Sequence, residues 1–249
     1  MLVPAIGVVI VRFVTKEGFR DSSFIAPVEF KRTLKYWMLG YFGPFLLIVI
    51  GAMLYHLIMP ESFDFHMSYL KGTIPQLQKI DPLAQGIPMI LGAAIIAPVA
   101  NIVTCFGEEW GWRGYLLPKL LEGYHIVPSL IVSGVIWSLW HAPLTLFGHN
   151  YGLGYPGYPV TGIIAMCCYC TIIGVFMSFV TLKSGSCIPA ALAHGSLNGT
   201  ALASLAFIKG MWSPFIGPVP VGIIGGSGFI VAAIILVGIL FREERKAGL

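Results

Sequence analysis

Six stretches of this chain, 37–59, 86–120, 127–147, 160–182, 187–207 and 221–241, are apolar for about the ~20 residues that a helix needs to cross lipid. A backbone in hydrocarbon must satisfy its own N–H and C=O groups, which leaves helices or closed barrels. Runs this long and this evenly apolar read as helices, since barrel strands need only about 9–11 residues of alternating pattern. Over 249 residues, 57% are hydrophobic and 10% charged, far below the ~25% charge of a soluble domain. The predicted fold class is therefore an all-α, polytopic transmembrane helix bundle with six firm spans and a short apolar segment at residues 1–11. That opening segment is too short to span and lacks the marks of a secretory leader, so it reads as a half-span or interfacial helix.

The chain divides into residues 1–35, a short apolar segment with a basic linker, and 36–249, a single transmembrane domain. The basic residues orient it. If 12–35 is cytoplasmic, alternation also places Arg113, Lys119, Lys183, Arg242, Arg245 and Lys246 inside, leaving Lys71, Lys79 and Lys209 outside. The net charge of +4 forms no aromatic-laced basic patch, so no nucleic-acid partner is expected. The bilayer itself is the expected partner. Five cysteines, including Cys167, Cys168 and Cys170 within one span, have no disulfide spacing and read as packing residues. Small residues four apart, Gly107 with Gly111 and Gly222 with Gly226, read as sites of close helix approach. No internal repeat of the kind that marks many transporters is visible.

Against this apolar background one octapeptide stands out, Gly107-Glu-Glu-Trp-Gly-Trp-Arg-Gly114. On a helix, Glu109 and Arg113 share a face in the favourable acid-before-base order, and Glu108 points elsewhere. A carboxylate at mid-depth costs roughly 2.5–3.5 kcal/mol, which makes it a functional hypothesis by default. The plain alternative is a solvated loop between two spans. Two more four-residue pairs fall inside spans, Trp137 with His141 and His194 with Asn198. Singly, each reads as packing or interhelical glue. Counted from the basic side at 1.5 Å per residue, His141 lies about 21 Å deep, Glu108 about 18 Å and His194 about 10 Å. The three can meet only if the Glu-Glu stretch lies inside the bundle.

The ordered set Glu108-Glu109-x-x-x-Arg113, Trp137-x-x-x-His141 and His194-x-x-x-Asn198 resembles the CPBP family of intramembrane endopeptidases (CAAX protease and bacteriocin-processing, also called Abi), including its Rce1-type members. The resemblance covers roughly 87–207. Trp137 stands where the family usually has Phe, and the opening apolar segment is short for it.

The resemblance implies proteolysis of a membrane-associated peptide or protein. Glu108 with His141 would activate water, and His194 with Asn198 would hold the oxyanion. Glu109, Arg113 and Trp137 would give structural support. It also implies a multi-pass protein of the cell membrane whose site faces the cytoplasm and takes its substrate there. No cofactor is expected. If the enzyme were metallo, Glu108, His141 and His194 would suit Zn²⁺, but H-E-x-x-H is absent and ligation would consume the base. The rival reading is a non-proteolytic membrane immunity or interaction protein on the same fold.

Overall fold

The computed structural model describes residues 1–19 and 29–248. Arg20 and Asp21, part of the polar stretch read above as a linker, lie outside the described residues. The described residues form helices with no β-strand beyond an isolated bridge between Phe63 and Ile208. The main helices are α1 (Val3–Val14), α2 (Phe30–Ile58), the short α3 (Ser68–Thr73), α4 (Ile87–Ala100), α5 (Ile102–Gly111), α6 (Leu117–Leu121), α7 (Ile126–Leu146), α8 (Val160–Ser184), α9 (Ile188–Thr200) and α10 (Ser227–Lys246). The all-α polytopic bundle is as expected.

Among the described residues, four segments are long and apolar enough to cross a membrane: Phe30–Ile58, Pro82–Ala100, Ile126–Leu146 and Val160–Ser184. Of the six firm spans expected, two differ in the structure. Residues 187–207 form the 13-residue α9 and then a 3₁₀ turn, Ala201–Leu205. Thirteen helical residues rise only about 20 Å, and the tighter turn supplies most of the remaining depth. The last span starts six residues later than predicted. Gly222, Gly225 and Gly226 fold a compact turn in place of a helix start, and α10 instead runs on through its basic end. Arg245 and Lys246 in the final turn suit the negative pole of the helix.

The long tract 86–120 is indeed one helical path, but it is broken in two places. Pro98 cannot donate within α4, and Asn101 (φ −94°, ψ 0°) divides α4 from α5. A wider π-type turn, Trp112–Leu116, then carries the path into α6. Gly107 and Gly111 do mark a close approach. A Cβ on Gly107 would meet the Leu2 side chain at 2.7 Å, and one on Gly111 would meet Pro4 at 2.5 Å, so α1 lies directly on α5. Gly222 and Gly226 do not join two helices. They abut the backbone carbonyls of Gly217 and Pro220 inside the turn before α10.

The bundle has two unlike ends. At one, Lys183 pairs with Glu243, the Ile126 N–H donates to Glu244 at 2.6 Å, and Lys119 pairs with Glu17 at 3.6 Å. Arg12, Lys35 and Lys246 belong to this basic end. At the other, Phe63 bridges Ile208, the Tyr69 and Trp212 rings meet edge to face, and Tyr151 stacks on Phe215. The core between them is built on α8, whose Ile173, Phe176, Met177 and Val180 are buried against α2, α7, α9 and α10.

Glycine also sets how α9 meets α4. A Cβ on Gly195 would stand 2.8 Å from the Pro98 carbonyl, and one on Gly199 2.2 Å from the Ala97 Cβ. Asn101 adds a clasp, its Nδ2 donating to Ala97 O at 3.0 Å and Gly195 O at 3.4 Å. Gly199→Ala is expected to force the two helices apart at a cost of about 1–3 kcal/mol, the usual penalty of overpacking. Thermal unfolding in detergent measures it. An unchanged midpoint would show that this approach is loose.

Candidate active site

Five of the seven site residues singled out above line one place, and Glu109 and Arg113 are buried behind it. Glu108, Trp137, His141, His194 and Asn198 line a single cavity of about 950 Å³. The solvated-loop alternative for the Glu-Glu stretch is excluded, because Glu108 is 3% exposed and Glu109 and Arg113 are fully buried.

Glu109 and Arg113 form the expected pair, with Arg113 Nη1 donating to both carboxylate oxygens at 2.9 and 3.1 Å. The same carboxylate has a second partner: His194 Nδ1 lies 2.9 Å from Glu109 Oε1. Beside an acceptor-only carboxylate, Nδ1 carries the proton. With Nδ1–H on the carboxylate, Nε2 of His194 can donate as well only in the doubly protonated ring. The guanidinium carbon also sits 4.3 Å above the Trp137 ring, a cation–π contact. The pair was expected to hold the helix and orient Glu108. Its direct partner is instead His194 on α9.

Glu108 is held from α7. Trp137 Nε1 donates to Glu108 Oε2 at 3.2 Å. The Phe common at this motif position has no such N–H, so the aromatic swap supplies a donor to the acid. Four residues on, His141 Nδ1 lies 2.9 Å from the Trp137 carbonyl oxygen. A carbonyl only accepts, so Nδ1 bears the proton and the neutral ring presents Nε2 as a base. The Trp137 ring packs edge to face against both His141 and His194, with centroids 5.7 and 5.5 Å apart. The indole is the hub of the site.

Asn198 Nδ2 reaches Cys105 Sγ at 3.8 Å, a weak contact that leaves its amide available at the cavity wall. Cys167, Cys168 and Cys170 form no disulfide.

Zn²⁺ on Glu108, His141 and His194 would need three donors converging at about 2.0–2.2 Å. Among the described residues no group of three His, Cys, Asp or Glu side chains is arranged to hold a metal ion. Both Nδ1 atoms and Glu108 Oε2 are engaged with protein groups, which leaves the two Nε2 atoms and Glu108 Oε1 without such a partner.

Two contributors escaped the sequence reading. Asn101 ties the α4–α5 break to α9, and nothing in its local sequence separates it from a helix cap. His149, in the connection after α7, lies nearly parallel to His141, with centroids 6.0 Å apart at 14°. Burial, and then the neighbouring His141, lower its pKa below the ordinary imidazole value.

The cavity is lined in part from the end of the bundle opposite the basic residues, by Tyr69, Asn150, Trp212 and Val221.

A helical integral membrane protein with an acid, two imidazoles and an amide converging on a buried hollow is the class that fold and site define. Residues 87–200 match the family model for Rce1-like proteins, described as type II CAAX prenyl endopeptidases. A CAAX prenyl protease 2 of Methanococcus maripaludis is 43% identical over 44 residues, which is 18% of this chain and 16% of that protein. The aligned segment is thus a small part of that relative's length. No solved structure matches. Over residues 87–200, somewhat under half of its length, the chain is similar to the Rce1-like family.

Proposed function

We propose that the protein is an intramembrane endopeptidase that hydrolyses a peptide bond of a membrane-associated peptide or protein. The observation that carries this reading is that a buried carboxylate, Glu108, and an imidazole whose proton is fixed on Nδ1, His141, line one cavity and are both held by Trp137. Glu108, with His141 Nε2 on the same cavity, takes a proton from water, and the oxygen attacks the scissile carbonyl carbon. The resulting oxyanion accepts hydrogen bonds from His194 Nε2–H and Asn198 Nδ2–H, donors worth about 2.7–4 kcal/mol each in comparable sites. The C–N bond then breaks, and the departing amine takes back the proton held by Glu108. Glu109 and Arg113 act through His194 and are positioning residues.

Trp137→Phe separates positioning from chemistry. It removes one hydrogen bond to a carboxylate, typically worth about 1.5–3 kcal/mol, and keeps an aromatic ring under Arg113. The expected result is a folded protein whose kcat falls roughly 10- to 100-fold with KM little changed. An unaltered kcat would show that the indole N–H does not orient the acid.

The reading is tested in cells by comparing membrane-peptide fragments made with the parent chain and with Glu108→Gln. Fragments present with the first and missing with the second identify substrates. Identical fragment patterns, with both chains in the membrane at equal level, leave the non-proteolytic alternative in possession.

A further inference from the structure

We infer that the basic end of the bundle holds a phosphate-binding site for the headgroup of an anionic phospholipid, in a second cavity between the start of α2 and the end of α8. The inference is independent of the proteolytic reading and of the central cavity.

Three observations meet there. The first is the cavity itself, about 530 Å³, walled by Glu29, Arg32, Lys35 and Tyr36 from the start of α2 and by Leu182 and Lys183 from the end of α8. Both helices are long and apolar enough to span a membrane, so the place where one begins and the other ends is where the bundle leaves hydrocarbon for the headgroup layer. The Tyr36 and Phe179 rings, edge to face with centroids 5.9 Å apart, join the two helices there.

The second observation is charge. The wall carries Arg32, Lys35 and Lys183 against one carboxylate, Glu29. Arg32 and Glu29 are 3.6 Å apart with side chains 84% and 67% exposed, a pair that water screens and that fixes neither partner. Lys35 lies over the Tyr36 ring at 5.0 Å and has no carboxylate partner among the described residues. Lys183 is mostly buried and held from behind by Glu243 of α10. With Glu243 counted, three cations still face two carboxylates, an excess of one positive charge. A guanidinium fork beside ammonium groups is the donor set that takes phosphate oxygens. No side chain caps the first N–H groups of α2, which add to the same attraction.

The third observation bears on where the phosphate comes from. Trp37, one turn on from Thr33 in that wall, has a buried indole N–H that finds no acceptor among the described residues. A buried indole N–H ordinarily has a partner. By helical rise it lies about 6 Å farther from the helix start than Thr33, toward the hydrocarbon. The ester carbonyls of a phospholipid lie on that side of its phosphate and would accept from the indole, whereas free phosphate offers nothing there. Phe30, edge to face on Trp37 at 5.2 Å, widens the aromatic surface at this level. The lipid is therefore the favoured source. Bound there, it would tie α2 to the turn that leads from α8 into α9.

The test uses the purified full chain in detergent micelles and reads its thermal unfolding midpoint. Doping the micelles with phosphatidylglycerol is expected to raise the midpoint by about 2–4 °C or more, and phosphatidylcholine at the same mole fraction is expected to leave it in place. A chain with both Arg32→Gln and Lys35→Gln, two exposed side chains, is expected to match the parent in undoped micelles and to lose most of the shift. Lys246→Gln, which removes a charge at the same end but outside the cavity, is expected to keep it. Equal shifts from the two lipids, a shift that the double variant retains, or one that Lys246→Gln loses as fully, overturns the site.

A second arm adds inorganic phosphate to undoped micelles, with a smaller shift expected than from phosphatidylglycerol. If phosphate reproduces the whole shift in the parent and none in the double variant, the cavity binds the free anion and the lipid assignment is overturned. No shift from either ligand overturns both.

Discussion

Glu108→Gln is expected to abolish measurable peptide hydrolysis while leaving the bundle folded. The substitution keeps the volume of a side chain that is 3% exposed, so no cavity is opened. The amide oxygen still accepts from Trp137 Nε1, so the indole is not orphaned. What is lost is the group that accepts a proton from water. General base catalysis contributes about 10²–10⁴-fold, so turnover should fall by at least that range, and further if His141 cannot act without the acid beside it. The check is the rate on a fluorogenic peptide together with the detergent unfolding midpoint. Retained turnover in a chain with an unchanged midpoint would place the base elsewhere and sink the proposed mechanism.

Arg113→Met is expected to give the largest loss of stability of any single change in the site. The guanidinium and its carboxylate partner are both fully buried. Removing one member of such a pair leaves the other as an uncompensated charge, which typically costs about 3–5 kcal/mol. The loss should spread, because the Glu109 carboxylate also holds His194, and the guanidinium also covers the Trp137 ring. Arg113→Lys distinguishes charge from shape. An ammonium can pair with Glu109 but cannot lie flat on an indole, so part of the stability should return while turnover stays low. Unfolding midpoints and kcat for the two variants report this. Equal midpoints for Arg, Lys and Met would mean that the pair is energetically idle.

Much of the site was legible in the sequence because its residues come in pairs four apart. That spacing alone fixes Glu109 over Arg113, Trp137 over His141 and His194 over Asn198. A charged triplet in a chain so poor in charge marked the helix on which the others converge. Contacts between helices were not legible. Spacing says which residues share a face, and never which face of another helix they meet. The bond from Glu109 to His194 and the one from Trp137 to Glu108 therefore appear only in the fold.

The break at Asn101 was likewise invisible, since asparagine serves equally as cap, glue or hinge. The short α9 was hidden by Ala201–Leu205, which carry on the apolar run after the helix has stopped. Which connections join the cavity wall depends on how they fold over the bundle, and local pattern does not encode that. The π-type turn at Trp112–Leu116 was missed for a related reason: hydrophobic period hardly changes across one wide turn.

The Glu109 carboxylate receives one donor from its own helical path and one from α9, which enters the chain some 85 positions later. Until α9 is in place, His194 has no anion to hold its ring and the hollow lacks two of its walls. On the proteolytic reading, a chain part-way through insertion has the acid and the first imidazole but not the second imidazole or the amide, so the site is completed only when α9 joins α5 and α7.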